Sequence, residues 1–192
     1  MKHLLVDVGR VLILPVPGRK VTTRQKKILK LITEYRDALE TGKINYENAL
    51  KLINEYQTEI VLPFKKIYPS EYYNTLNKHS MYNIELVDYI KTIDAKNHVA
   101  TNSFEYFINR LVEEYKLNEW TDKILVSDAF KAKKPDIIYF QKAMKTINAK
   151  PADCFLIDDK KENVESFMKL GGNGIIYENN EKTFEVIEGW IK

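Results

Sequence analysis

The sequence predicts a doubly wound α/β fold: a parallel five-stranded sheet with a small all-helical segment inserted after the first strand. Three observations predict it. A short apolar run at residues 3–6 ends at Asp7, close to Gly9, as buried parallel strands do. From His98 onward, strand and helix patterns alternate regularly, which indicates parallel strands joined by helices. Between them, residues 19–85 show helical spacing and no strand pattern.

The α/β unit is expected to consist of residues 1–18 and 86–192, with the first strand in the centre of the sheet. We expect each later strand to precede a helix, because right-handed crossovers connect parallel strands in this way. Pro135 is expected at the first position of one of these helices, and Gly171 at the end of another. The four later strands are predicted at 98–101, 123–126, 154–157 and 174–177.

The inserted segment is expected to be helical throughout. Its first helix is predicted at about 22–41, with Gly42 as the C-terminal cap glycine. Asn45, Ser70 and Asn83 each stand before an apolar stripe at helical spacing and are expected to cap three further helices. The simplest packing is an antiparallel helical pair with smaller helices against it.

Composition excludes several classes of protein. The 192 residues include 44% hydrophobic and 30% charged residues, as in ordinary globular domains, and the formal net charge is only +3. A basic cluster around Arg19–Lys27 is interpreted as a solvated helix face, so no nucleic-acid partner is expected. No apolar run approaches the ~18 residues that suggest a membrane span. The single cysteine, Cys154, and the early Asp7 favour a cytoplasmic protein without a signal peptide.

Three carboxylates are expected at one edge of the sheet. Asp7 follows the first strand, and Asp158 and Asp159 follow the strand at 154–157. Carboxyl ends of parallel strands meet at one edge, where α/β proteins bind their ligands. Three acids at one place repel one another unless a cation compensates, and oxygen ligands suit Mg²⁺. The alternative is that Asp158 and Asp159 are helix N-terminal acids favoured by the helix dipole.

Four short motifs follow one another in a fixed order, each at a predicted strand end or helix start. They are the apolar strand ending at Asp7, Thr101-Asn102, Lys134-Pro-Asp, and Asp158-Asp159 followed by Asn163. Together they resemble the motifs of the haloacid dehalogenase (HAD) superfamily over nearly the whole chain. The resemblance implies that the helical segment, 19–85, is a small cap over the active site.

The resemblance also implies a nucleophile and a metal site. Asp7 would attack phosphorus and bind the metal. Gly9 would bind the metal through its backbone carbonyl, and Asp159 would be the third protein ligand. The implied metal is Mg²⁺, which prefers oxygen ligands and retains several waters.

The remaining motif residues would bind the transferring phosphoryl group or hold the residues that do. Thr101 would use its hydroxyl and Asn102 its backbone N–H. Lys134 would neutralise the charge of nucleophile and phosphate, although Lys133 is an alternative from the sequence alone. Arg10, on the loop after the nucleophile, is a further candidate for binding substrate. The two residues implied to hold the motif lysine are Asp158 and Asn163.

Gly9 is the main departure from the phosphatases of this family. They usually carry at this position an Asp that acts as general acid and base, a contribution worth about 10²–10⁴ in rate. Glycine also permits backbone geometry closed to aspartate, so a reshaped loop is one expectation. Arg10 or His79 are candidates to supply the proton instead.

Three functional hypotheses remain open. The first is a Mg²⁺-dependent phosphatase of a small phosphorylated metabolite, a sugar phosphate or nucleotide, working through an aspartyl-phosphate at Asp7 as a monomer or homodimer. The second is a catalytically impaired protein of this fold that binds a phosphorylated ligand or a protein partner. The third, a C–halogen hydrolase, is disfavoured because a pair of acids for a metal has little use there.

Overall fold

The computed structural model describes the backbone of residues 1–18, 20, 22–59, 69–77 and 80–192. Its strands are β1 (His3–Val6), β2 (Ile13–Pro15), β3 (Ser80–Tyr82), β4 (Lys96–Thr101), β5 (Lys123–Val126), β6 (Cys154–Asp158) and β7 (Asn173–Ile176). Its helices are α1 (Thr23–Glu40), α2 (Tyr46–Glu59), α3 (Pro69–Asn77), α4 (Ile84–Lys91), α5 (Glu105–Tyr115), α6 (Ser127–Phe130), α7 (Ile137–Ile147), α8 (Lys161–Lys169) and α9 (Asn180–Ile191).

The main sheet confirms the predicted fold class. Five strands lie in the order β5-β4-β1-β6-β7, and all of their pairings are parallel. The first strand is central, as predicted. Val6, its last residue, pairs with Val99 on one side and Ile157 on the other. This register brings the residues that follow β1 and end β6 to the same level of the sheet.

Apolar clusters cover both faces of the sheet, which is the doubly wound arrangement. Leu4 and Val6 of β1 belong to a cluster that also contains residues of α4, α5 and α9. Leu5, between them on the strand, points to the other face, in a cluster with residues of α7 and α8. Alternate residues of the central strand are therefore buried on opposite faces.

Helices α1 and α2 share a separate cluster of apolar residues. It joins Ile28, Ile32 and Leu39 of α1 to residues of α2 and to Phe104, which precedes α5. Sequence and structure agree on the ends of these helices. Thr22 caps α1 through a capping box, Gly42 follows α1 with a φ of +61°, and the Asn45 side chain accepts a hydrogen bond from the Asn48 N–H. Their division from the sheet as a cap comprising 19–85 stays a prediction.

The prediction that the inserted segment contains no strand is wrong. Strand β3 lies within it and pairs antiparallel with β2, with Tyr82 opposite Ile13. Three residues are too few for a period of two to be visible in the sequence. The two-stranded ribbon leads into α4, which begins at the predicted cap Asn83 and buries Leu86 in the core of the sheet.

Two predicted helix starts also differ from the structure. Helix α3 begins at Pro69, so Ser70 lies inside it instead of capping it. Helix α7 begins at Ile137, after Pro135, because the Asp136 side chain accepts a hydrogen bond from the Ile138 N–H and serves as the N-cap. Short α6 was not predicted. No helix in the described ranges combines the length and apolar character that a bilayer crossing needs.

Candidate active site

The carboxyl edge of the main sheet brings together the predicted acids. Asp7 directly follows β1, and its backbone N–H donates to the Ile157 carbonyl at 2.9 Å. Asp158 ends β6, and Thr101 ends β4 on the other side of β1. All three are buried, with Asp7 8% exposed. The parallel register therefore produces a compact polar site at the switch of strand order.

Lys134 lies at the centre of this site. Its ammonium group contacts Asp7 Oδ1 at 2.8 Å and Asp158 Oδ2 at 2.5 Å, and donates to the Ala100 carbonyl at 2.6 Å. These three acceptors match the three donors of a lysine ammonium. Lys133 points elsewhere and contacts Asp37 and Glu40 of α1. The structure thus places Lys134, of the two lysines, against the candidate nucleophile.

Asn102 fixes the backbone of Lys134. The Asn102 side chain donates to the Lys134 carbonyl and accepts from the Lys134 N–H, both at 2.8 Å. This two-way contact was not anticipated from the sequence, which assigned Asn102 only a backbone N–H toward phosphate. A side-chain amide with one donor face and one acceptor face is suited to pair with a backbone in this way.

Asn163 reaches the site through Asp158. Its Nδ2 donates to Asp158 Oδ1 at 2.8 Å, and the same oxygen accepts from the Lys160 N–H at 2.9 Å. Asn163 therefore acts on the lysine through Asp158, which stands between the two and contacts Lys134 with its other oxygen. Asn163 orients the acid that orients the lysine.

The charged groups of this site shift one another's pKa values. Burial raises the pKa of Asp7 to about 6; Lys134 opposes this rise, and the Asp158 carboxylate adds to it. Burial disfavours the charged form of Lys134, but Asp7 and Asp158 outweigh burial and raise its pKa. Burial, with Asp158 beside it, also raises the pKa of Asp159. One lysine cannot neutralise three acids, so the site favours an additional cation.

The oxygen atoms present fit a magnesium ion. One carboxylate oxygen from each of Asp7, Asp158 and Asp159 lies within 4.8 Å of the others. Both oxygens of Asp158 already accept hydrogen bonds, so Asp7 and Asp159 are the acids best placed to bind an ion. Gly9 forms a bridge to Ile13 through the neighbouring Val8 carbonyl and Arg10 N–H, which leaves the Gly9 carbonyl outside that bridge. All of these donors are oxygen atoms, as Mg²⁺ prefers.

The loop after Asp7 is not shaped by a special glycine conformation. A Cβ atom built on Gly9 would have Asp7 Oδ2 as its nearest neighbour, at 3.9 Å, and the residue with a left-handed φ, +60°, is Arg10. The expectation that Gly9 reshapes the loop is therefore wrong, since its φ lies outside the left-handed region and a Cβ atom there would meet no close neighbour. His79, the other candidate proton donor, lies outside the described residues.

A cavity of about 400 Å³ lies at the same edge of the sheet. Residues of the sheet edge line it, among them Gly9, Arg10, Thr101 and Asn102. The remaining lining includes residues that the sequence analysis did not single out: Arg36 and Glu40 of α1, and the aromatic rings of Phe104 and Phe107. Arg36 and Glu40 are four residues apart on α1, a spacing that predicts an ion pair, but only the folded chain shows that this pair lines the cavity.

The sequence matches one known protein family over most of its length. The family model described as haloacid dehalogenase-like hydrolase matches residues 23–175. Flavin mononucleotide hydrolase 1 of Arabidopsis thaliana is 26% identical over 95 residues, which are 50% of this chain and 38% of that protein. The match therefore spans well under half of the plant protein.

Two solved structures share the whole architecture. A protein from Porphyromonas gingivalis described as a predicted HAD-like family hydrolase has a TM-score of 0.79 at 22% identity, with 100% of this chain and 98% of that chain covered. A HAD family enzyme from Bacteroides thetaiotaomicron, in complex with magnesium and inorganic phosphate, has a TM-score of 0.74 at 18% identity, covering 93% and 94%. At such identities the likeness concerns the fold.

Proposed function

This chain belongs to the haloacid dehalogenase-like hydrolases, and from that premise we propose that it is a Mg²⁺-dependent phosphatase of a small phosphorylated metabolite, a sugar phosphate or nucleotide. One observation carries the proposal: the Asp7 carboxylate lies against the Lys134 ammonium and within 4.8 Å of further acids, and the residues that follow it, 8–10, line a cavity. A buried carboxylate beside a fixed cation can approach an anionic phosphate, which an isolated carboxylate cannot.

The proposed first step transfers the phosphoryl group to Asp7. A carboxylate oxygen forms a bond to phosphorus, and the bond from phosphorus to the ester oxygen breaks. Lys134 would offset the negative charge of the two reactants, while the Thr101 hydroxyl and the Asn102 N–H would bind phosphoryl oxygens. Mg²⁺, held by Asp7, the Gly9 carbonyl and Asp159, would supply positive charge to the phosphate. Water then hydrolyses the aspartyl-phosphate to inorganic phosphate and free Asp7.

The relatives support this chemistry. The plant relative is named for hydrolysis of flavin mononucleotide, which is a phosphate monoester. The Bacteroides enzyme of similar fold binds magnesium together with inorganic phosphate. A metal and a phosphate product are what the proposed reaction requires at this edge of the sheet.

A screen of phosphorylated metabolites with Mg²⁺ tests the proposal. We expect release of inorganic phosphate from at least one substrate, and a loss on the order of 10⁴-fold or more in Asp7→Asn, because the nucleophile is gone. Asp88→Asn, on the exposed face of α4, is the control and should turn over normally. Unchanged turnover in Asp7→Asn, or no phosphate release from any substrate, would contradict the proposal.

The second hypothesis, an impaired catalyst that binds its ligand, is favoured by Gly9. Without an acid for the leaving group, nitrophenyl phosphate should react far faster than an alkyl phosphate of similar size, by up to about 10²–10⁴. Gly9→Asp should then accelerate the alkyl ester more than the aryl ester, and the open space at Gly9 allows the test. Equal rates for both esters in the wild-type protein would show that another group supplies the proton.

The third hypothesis, carbon–halogen hydrolysis, requires no metal. Loss of all activity on metal removal, with recovery on adding Mg²⁺, separates a phosphatase from a dehalogenase. Hydrolysis of a 2-haloacid in the presence of a chelator would favour the dehalogenase instead.

A further inference from the structure

We propose that Arg36 recognises a second anionic group on the substrate, so that the preferred substrates are phosphate monoesters whose leaving group carries a carboxylate or another phosphate. The inference rests on the proposed function, since it assumes that the phosphoryl group binds at Asp7. It concerns the part of the cavity that is lined by residues outside the HAD motifs. Arg36 lies on α1, whereas Thr101 and Asn102 lie at the sheet edge, and one cavity is lined by both.

Glu40 holds Arg36 in place. Arg36 Nε contacts Glu40 Oε1 at 2.6 Å, one turn away on the same helix. Glu40 is only 5% exposed, and its other carboxylate oxygen lies 3.3 Å from Lys133 Nζ. Lys133 also contacts Asp37 at 2.8 Å. A buried acid between two cations has its charge compensated, so it positions Arg36 without adding net negative charge to the cavity.

The charges that line the cavity favour an anion. The charged residues among the described lining are two arginines, Arg10 and Arg36, and one acid, Glu40, so the lining has a formal net charge of +1. The Arg36 side chain is 58% exposed and belongs to the lining of the cavity. A guanidinium presents planar N–H donors that suit a carboxylate or phosphate.

Apolar residues of the same cavity fit the carbon skeleton between two anionic groups. Phe104 and Phe107 line the cavity, and Phe104 is itself held by stacking on Tyr46 of α2, with ring centroids 5.3 Å apart. A volume of about 400 Å³ is within the range of small-ligand sites. A leaving group with a ring or short chain and a terminal anion fits this cavity better than a neutral polyol.

Binding of unreactive phosphonates tests the inference without requiring turnover. Benzylphosphonate is compared with its 3-carboxy and 4-carboxy derivatives by calorimetry in the presence of Mg²⁺. We expect the better carboxylated compound to bind about fivefold more tightly to the wild-type protein, the upper end for a partly exposed ion pair. In Arg36→Ala this advantage should disappear, and Glu40→Gln should reduce it.

Arg24→Ala is the matched control. Arg24 lies on the same helix and pairs with Glu71, but it is twelve residues, about 18 Å, from Arg36 and lines a different cavity. The fivefold advantage should persist in this variant. Equal binding of all three phosphonates by the wild-type protein, or an advantage that survives Arg36→Ala, overturns the inference alone. If no phosphonate binds, the phosphate site and the proposed function are refuted and the inference falls with them.

Discussion

The central strands carry buried ionisable groups toward both of their ends, and the two ends are stabilised differently. At the carboxyl end, the side chains of Asp7 and Asp158 both contact the ammonium group of Lys134. Toward the amino end, His3 Nδ1 lies 3.0 Å from His98 Nε2, and the two rings stack with centroids 5.3 Å apart. The first cluster consists of opposite charges, whereas in the second one hydrogen bond joins two neutral rings.

This difference indicates which end does chemistry. Burying charge is costly unless it is paired, so a folded chain retains charged clusters where another property requires them. Burial lowers the pKa of His98 to about 4, with His3 beside it adding to the effect. Neutral imidazoles serve packing at the amino end. The carboxyl end retains an excess of negative charge beside a cavity, as a site for a cation and a phosphate requires.

The largest effect should follow removal of the central cation. Lys134→Met leaves two buried carboxylates facing each other, and breaking such a buried pair costs about 3–5 kcal/mol of the free energy of unfolding. Urea unfolding with a chelator present measures this change. Lys133→Met is the adjacent control and should cost no more than about 1 kcal/mol, because the Lys133 side chain is 33% exposed, its partner Asp37 is exposed, and the buried Glu40 keeps its contact with Arg36. Equal losses in the two variants would contradict the distinction between them.

The histidine pair should govern stability in acid. The folded pKa of His98 is about 4, against 6.5 for the free side chain, so the unfolded chain binds more protons as pH falls. The stability contributed by neutral His98 is present above pH 6.5 and declines between pH 6.5 and 4, by about 3 kcal/mol in total. Nδ1 of His98 has no hydrogen-bond partner in the described part of the chain, so a proton there would be poorly accommodated.

Comparison with His98→Gln isolates that contribution. The raised pKa of Asp7 changes stability with pH in the opposite direction, because the folded protein binds this proton more tightly than the unfolded chain and gains stability as pH falls. Subtracting the free energies of unfolding of variant and wild type at each pH cancels that contribution. The wild type should lose stability relative to His98→Gln as pH falls from 6.5. A difference independent of pH would show that the pair does not titrate as described.

The fold was predictable from its strand and helix patterns, and the residues around Asp7 were predictable because they stand at the ends of strands. Parallel register forces Asp7, Thr101 and Asp158 to one edge once the strands are recognised, and apolar runs of four to six residues suffice for that. The Lys-Pro-Asp context selected Lys134 and left Lys133 as an alternative, and the coordinates separate the two, since Lys134 contacts Asp7 and Lys133 contacts α1.

The outer part of the site was not predictable from the same signals. Arg36 and Glu40 reach the cavity because of how α1 packs against Phe104 and the loop of Lys133, and no local pattern encodes that packing. Strand β3 was missed for a related reason, since its three residues form a strand only by pairing with β2, far away in sequence. Long-range contacts decide both.

Magnesium should produce the smallest of these effects on stability. An ion that binds only the folded state stabilises it by about 1.4 kcal/mol at ten times its dissociation constant, or about 3–6 °C in Tm for a chain of this size. We expect that shift in the wild type and none in Asp159→Ala, measured by thermal unfolding at increasing Mg²⁺. Glu162→Gln, an exposed acid on α8, is the control and should retain the shift.

Removing Asp159 also relieves its repulsion with Asp158, so Asp159→Ala should not be less stable than the wild type without metal. A lost shift therefore reports a lost ligand and not a damaged fold, whereas an undiminished shift in Asp159→Ala would place the ion elsewhere.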